Sequence, residues 1–282
     1  MKLEDFDIVD IHHHVGRLDA VARAAGAGMK SMGVEDDIST RLRYMDENGI
    51  AGAFVMPANG YPAPNGIEDT RRVNDFVAEY RDRRPDRFLA ALGTVSPLEG
   101  DAALDEIDRC INDLGMKSIV WHHRFQGTVL DHPMMDAFLD RLRTHRVPPF
   151  VHIIADSKLE SPWRLEVLAD RHPDLTFVAL DGFSAPDQAH WMTYLASKHP
   201  NILFDTGVMV SVAHLVENFV AEVGAERLLL GTDFYSTPKL FNHPFPVYEL
   251  IKSNLTPDQC RMILGGNARR LFASGSTSQE AV

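Results

Sequence analysis

Eight short apolar runs, each followed by a stretch of helical periodicity, constrain this chain more than any single motif. They span residues 6–12, 51–57, 88–96, 116–123, 149–155, 176–182, 201–207 and 227–233. Each is too short for a typical helix, and each ends in polar or turn residues. The unbroken apolarity of Leu228-Leu229-Leu230 suits a strand covered on both faces, as in a parallel sheet. Helical patterns fill the gaps at 36–48, 68–84, 100–114, 133–145, 162–171, 186–198 and 211–223. Several carry Pro near the first turn, where its missing N–H costs nothing. Thr256-Pro257-Asp258-Gln259 reads as an N-cap, a first-turn Pro and a capping-box Gln. Eight strand–helix alternations in about 250 residues is the arithmetic of an α/β chain closed into a single (β/α)8 barrel. A doubly wound open sheet is the competing arrangement, and it would set the strand ends along a line rather than a ring.

Composition narrows the classes further. Of the 282 residues, 45% are hydrophobic and 24% charged, which excludes a disordered or collagenous chain. With 28 basic and 40 acidic residues the net charge is −12, so neither nucleic acid nor an anionic membrane is an expected partner. Cys110 and Cys260 sit in amphipathic helical stretches and read as buried free thiols. The opening Met1-Lys2-Leu3-Glu4-Asp5 lacks the apolar run of a signal peptide. No stretch approaches about 18 uninterrupted apolar residues. A reducing cytoplasm is therefore the expected compartment. Residues 1–273 read as one domain, with a small, polar, frayed tail at 274–282. The long connection at 15–35 contains Gly16, Gly26, Gly28 and Gly33 and reads as a lid or binding loop. Its Gly26-Ala27-Gly28 neither follows a strand directly nor continues to a third Gly, so it makes a poor nucleotide-binding fingerprint.

A barrel places its active site at the C-terminal strand ends, so those ends are where chemistry is expected. The first run closes on Asp10-Ile11-His12-His13-His14. Side chains alternate along a strand, so His12 and His14 share one side and His13 takes the other. Two imidazoles at this spacing, with Cα atoms about 6.5 Å apart, can reach one metal ion. The fifth run carries His152, which fits either a satisfied core histidine or a third ligand. The eighth ends in Gly231-Thr232-Asp233, where Asp233 either caps the next helix or stands beside a cation. Three His and one Asp form a donor set suited to zinc and related divalent ions. The fourth run ends Trp121-His122-His123-Arg124 without a Lys at its tip, which favours one metal over a Lys-bridged pair. Arg124 could grip a substrate carboxylate with its planar fork or make a rim salt bridge. His122, His123, Asn59 and Tyr61 join it as substrate-binding candidates, with Asp205 and Thr206 at the seventh strand end as second-rank ones.

These residues, together with the closing Leu264-Gly265-Gly266-Asn267-Ala268-Arg269-Arg270-Leu271-Phe272, resemble the amidohydrolase superfamily. The narrower resemblance is to the amidohydrolase-related branch of aminocarboxymuconate-semialdehyde decarboxylase and its related aromatic-acid decarboxylases, hydratases and lactone hydrolases. It runs from about residue 6 to residue 273. The resemblance implies a (β/α)8 barrel holding one divalent metal, zinc or alternatively manganese. His12, His14, His152 and Asp233 fall on its ligand positions, with Asp233 also moving protons. Asn267–Phe272 is expected to pack and cap rather than react. One departure stands out. The family usually has His followed by Gly at the end of strand six, whereas this chain has Asp181-Gly182. Asp181 is then expected to bind metal, act as a general base, or merely orient another group.

The expected chemistry is hydrolysis of a small carboxylate, lactone or amide by a metal-activated water. Decarboxylation or hydration of an unsaturated or aromatic acid is the alternative, and a barrel that binds without turnover is a third reading. A small molecule is the expected partner, and a homodimer is the default assembly.

Overall fold

The computed structural model describes residues 1–17, 33–237, 239–240 and 243–272. Most of the 15–35 connection and the 274–282 tail lie outside the described residues, as does Gly26-Ala27-Gly28.

Strands β1 (Ile8–Arg17), β2 (Ile50–Pro57), β3 (Phe88–Gly93), β4 (Ser118–Trp121), β5 (Phe150–His152), β6 (Phe177–Leu180), β7 (Ile202–Asp205) and β8 (Leu228–Leu229) pair in parallel, each with the next. The ring closes between its ends: the Ile11 N–H donates to the Leu230 carbonyl at 2.9 Å, just beyond β8. The chain runs on from β8 into β9 (Phe234–Thr237), which pairs in parallel with β1, and then into the short antiparallel β10 (Lys239–Leu240). A closed ring replaces the open-sheet alternative, because β1 is bonded on both edges.

Helices α1 (Val34–Glu47), α2 (Ile67–Arg83), α3 (Asp101–Asn112), α4 (His123–Gln126), α5 (Met135–His145), α6 (Pro162–Arg171), α7 (Pro186–Lys198) and α8 (Leu215–Val223) follow the successive strands. The apolar pattern sorts into two layers. Val9, Ile11, Phe54, Leu92, Val120 and Val178 fill the barrel interior, while a larger cluster that includes Ile8, Val55, Ile119 and Phe177 packs the sheet against the helices. Helices α9 (Phe245–Lys252), α10 (Pro257–Arg261) and α11 (Asn267–Leu271) complete the chain. The Thr256 capping box forms as read, with Thr256 Oγ1 accepting from the Gln259 N–H and the Gln259 carboxamide accepting from the Thr256 N–H. Asn267 is a capping residue: its buried Nδ2 donates to the carbonyls of Ala225 and Leu228 at 2.8 and 2.6 Å.

Strand β1 extends past the predicted run, through His14 to Arg17, because both its edges find partners. Its pairing with β2 shifts register between Asp10 and His13. Such an irregularity restarts the alternation of side chains and re-aims them. Val9 and Ile11 lie inside the barrel, yet beyond the shift His12 and His14 turn to its mouth and His13 turns away to Asp10, with Nε2···Oδ2 at 2.9 Å.

Candidate metal centre

His12, His14 and His152 meet at the barrel mouth, all fully buried, with one ring nitrogen of each within 4.8 Å of the others. In each ring Nδ1 is already engaged. His12 Nδ1–H donates to Asp205 Oδ2 at 2.7 Å, His14 Nδ1–H to the Pro57 carbonyl at 2.7 Å, and His152 Nδ1–H to the Trp121 carbonyl at 2.9 Å. That fixes the tautomers and leaves three Nε2 lone pairs converging. The Nε2 atoms of His12 and His14 are 3.0 Å apart, and His152 Nε2 is buried without a hydrogen-bond partner among the described residues. Asp233 Oδ1 completes the group, 3.4 Å from His12 Nε2 and 3.2 Å from His14 Nε2. Ligand atoms about 2 Å from a shared ion lie about 3 Å from one another, so this donor set fits a divalent cation.

The electrostatics favour positive charge at this point. Burial opposes an imidazolium at His12, but Asp205, Asp181 and Asp233 outweigh it and hold its pKa at about 10. Burial holds His14 down to about 4, and burial with the neighbouring rings of His122, His12 and His14 keeps His152 well below its usual range. Burial, then the charge of Asp233, pushes the Asp181 carboxyl well above the usual range. Asp181 Oδ1 stands 3.8 Å from His12 Nδ1 and makes no hydrogen bond among the described residues, while the Asp181 N–H donates to Asp205 Oδ1 at 2.8 Å. His12, Asp181 and Asp205 form a second compact group. Its 2.7 Å contact is a hydrogen bond from the imidazole, so Asp205 orients His12.

Backbone geometry lets these groups approach. A Cβ on Gly231 would lie 2.1 Å from Asp205 Oδ2, and one on Gly207 would lie 2.5 Å from Asp181 Oδ1. Asp181 and Asp233 both take left-handed backbone, φ 65° and 57°, a conformation uncommon outside glycine and enriched at functional sites. Thr232 anchors the turn before Asp233 by donating its N–H and hydroxyl to the Asp10 carboxylate at 3.1 and 2.5 Å.

A cavity of about 520 Å³ opens over these groups, with His122, His152, Asp181, Asp233 and Tyr235 in its wall and Phe125, Ile154 and Val208 as apolar lining. His122 stacks on His152 at 4.1 Å and 7°. Tyr235 stacks on His14 at 4.4 Å. Arg124 reaches the wall already paired, with Nε 2.8 Å from Glu160 Oε1 and Nη2 on Asp156. His123, Asn59 and Tyr61 are not among the described residues of the wall. His123 is buried against Thr128 Oγ1 at 2.9 Å, Asn59 is buried beside the Pro57 carbonyl, and Tyr61 bonds Thr70 at 3.0 Å. For His123 the reason is that helix α4 begins there and turns it away from its neighbour. The sequence reading passed over Glu160, a buried carboxylate in the loop before α6 that holds both His122 Nδ1 (2.9 Å) and Arg124. It also passed over Tyr235. Neither lies at the end of an apolar run, so no spacing rule marks them. A second cavity, about 530 Å³, lies at the opposite end of the barrel beside Pro148, Thr176 and Leu203, away from every predicted site residue.

A family model described as amidohydrolase matches residues 9–273. The chain belongs to the amidohydrolase family. Within it, an 85-residue stretch is 46% identical to a gamma-resorcylate decarboxylase of Rhizobium radiobacter, covering 27% of this chain and 24% of that one. The chain thus matches about a quarter of the length of that curated relative. Solved structures share the amidohydrolase barrel. A 2,6-dihydroxybenzoate decarboxylase complexed with 2,6-dihydroxybenzoate superimposes with a TM-score of 0.71 at 22% identity, over 95% of this chain and 99% of that one. A 5-carboxyvanillate decarboxylase of Novosphingobium aromaticivorans with bound manganese does so with a TM-score of 0.73 at 16% identity, over 96% and 99%.

Proposed function

We propose that this amidohydrolase family member is a metal-dependent carboxy-lyase that removes the carboxylate of a hydroxylated aromatic acid. The observation that carries this reading is the convergence of three Nε2 lone pairs and the Asp233 carboxylate at the floor of a cavity with aromatic walls. The 46% identical stretch supports decarboxylation over the hydrolysis that the sequence alone favours. Manganese bound in a structural neighbour supports a divalent ion and gives manganese at least equal standing with zinc.

His12, His14, His152 and Asp233 would hold the ion, which when bound would draw charge from the substrate's oxygen donors. The protein's own groups do the rest. Tyr235 and Phe125 line the cavity that would take a planar ring, and the His122–Glu160–Arg124 chain sets one wall. Decarboxylation needs a proton delivered to the ring carbon that bears the carboxylate. The C–C bond then breaks, its electrons return to the ring, and carbon dioxide leaves. Asp181 is suited to hold that proton, since burial and the nearby Asp233 charge push its carboxyl pKa well above the usual range and the residue lines the cavity. Asp233 is the second carboxyl within reach of the same space.

The test is direct. Protein loaded with Mn²⁺ and given 2,6-dihydroxybenzoate should release resorcinol and carbon dioxide in equal amounts. Turnover of lactones or amides with no loss of carbon dioxide from aromatic acids would return the assignment to hydrolysis.

A further inference from the structure

Beneath the metal centre lies a buried ionic cluster that neither the cavity nor the proposed chemistry touches. Arg41 of α1 is fully buried. Its Nη2 donates to the His14 main-chain carbonyl at 2.7 Å and to Ser236 Oγ at 3.3 Å, and its Nε donates to the Tyr80 hydroxyl at 2.9 Å. Asp37, one turn earlier on α1, is 3.5 Å from the same Nη2 and accepts from both Tyr80 and Ser236. The guanidinium also lies 5.0 Å from the ring centre of Phe234. Its Nη1 is buried without a partner among the described residues.

This arrangement is a poor way to fill space. A buried ion pair can be replaced by apolar side chains at little or no cost in stability, and an unmet donor makes it costlier still. The partners point to a different role. His14 is one metal ligand, and Phe234 and Ser236 lie one and three residues after Asp233, another. Strands β1 and β9 run side by side here, with His13 opposite Phe234 and His14 opposite Tyr235. One guanidinium thus bonds the main chain of the first segment and the side chain of the second, and the distance it fixes lies behind the 3.2 Å approach of Asp233 Oδ1 to His14 Nε2.

We infer that Arg41, with Asp37 and Ser236, is a positioning residue of the metal centre: it sets the spacing of His14 and Asp233, and through it the affinity for the divalent ion, without touching ion or substrate. The inference rests on the assignment of His12, His14, His152 and Asp233 as the metal site.

The experiment measures Mn²⁺ affinity by competition with a chromophoric chelator, alongside thermal unfolding of the metal-free protein. The variants are the double replacement Arg41→Met with Asp37→Leu, and the milder Ser236→Ala. Tyr248→Phe serves as a control, since it removes the 2.8 Å bond to Asn48 at the far end of α1. The expected result is a dissociation constant raised about tenfold in the double variant, by analogy with residues that orient metal ligands, and less in Ser236→Ala. The metal-free midpoints should stay near that of the parent. Should the double variant fail to fold, Ser236→Ala alone carries the decision. Unchanged Mn²⁺ affinity in the folded variants overturns the inference while leaving the metal site standing. Loss of affinity only in proportion to a lowered midpoint, with Tyr248→Phe behaving alike, also overturns it. A parent protein that binds no Mn²⁺ removes the site itself, and the inference with it.

Discussion

Asp205 illustrates what a single residue decides in this protein. Its carboxylate fixes the His12 tautomer through the 2.7 Å bond from Nδ1. Asp205→Asn should weaken Mn²⁺ binding by about 10- to 100-fold, measured by chelator competition, with the fold intact by circular dichroism. Asp181→Asn tests a different role. If its carboxyl carries the proton, the variant keeps its metal content by elemental analysis and loses nearly all turnover of 2,6-dihydroxybenzoate; loss of the metal would instead make Asp181 a ligand. His123 supplies a pH dependence separate from the metal ligands. Burial lowers its pKa from 6.5 to about 4, so the unfolded chain binds more protons between those values. Stability from neutral His123 is therefore complete above about pH 6.5 and is lost as the pH falls through 4, by about 3 kcal/mol in all. Denaturant titrations of His123→Gln should show a correspondingly shallower loss across that window.

At the level of elements, the barrel's strands and helices match the hydrophobic period closely. Helices α6 and α7 have the bounds that Pro162 and Pro186 mark. Strand β1 and the end of the eighth strand differ from expectation for one reason. Pairing on both edges carries β1 beyond its apolar run, and the eighth strand interrupts over residues 230–233 and resumes as β9. Neither effect has a local signature. The resemblance implies that the segment Asn267–Phe272 packs and caps, and the two bonds from Asn267 to the Ala225 and Leu228 carbonyls tie α11 to the base of β8. Asn267→Ala removes both bonds, although the Ala225 carbonyl keeps the Leu228 N–H, and a buried polar group left short of a partner costs about 1–3 kcal/mol. A lowered urea midpoint with unchanged Mn²⁺ affinity is the expected outcome, since α11 lies away from the mouth of the barrel.

For the molecule as a whole, ligand linkage provides the broadest check. An ion that binds the folded chain alone adds about 2.7 kcal/mol at about 100 times its dissociation constant. Thermal unfolding should therefore shift upward with Mn²⁺, and a chelator should reverse the shift; the His12→Ala variant should show neither. Among the described residues no helix is long and apolar enough to cross a membrane, and Cys110 and Cys260 are both free and buried. A small substrate meets the local field of the pocket and not the net charge of −12. Four carboxyls, Asp156, Glu160, Asp181 and Asp233, stand in or beside the cavity wall, and Arg124 is shared by the first two.

Periodicity alone determined the eight-fold alternation, because burial on both faces leaves each strand a short apolar signature; that the sheet closes into a ring was decided by the pairing of β1 on both edges. The order of polar strand ends also placed His12, His14, His152 and Asp233 at one mouth, since a barrel brings every strand's C-terminal end to the same face. What only the tertiary structure decided is which neighbours complete that mouth. Glu160, Tyr235 and Arg41 reach the site or its support from a loop, a strand and a helix far apart along the chain, and His123 leaves it because a helix begins at its own position. Contacts of that kind are made by packing in three dimensions, and one-dimensional spacing carries no trace of them.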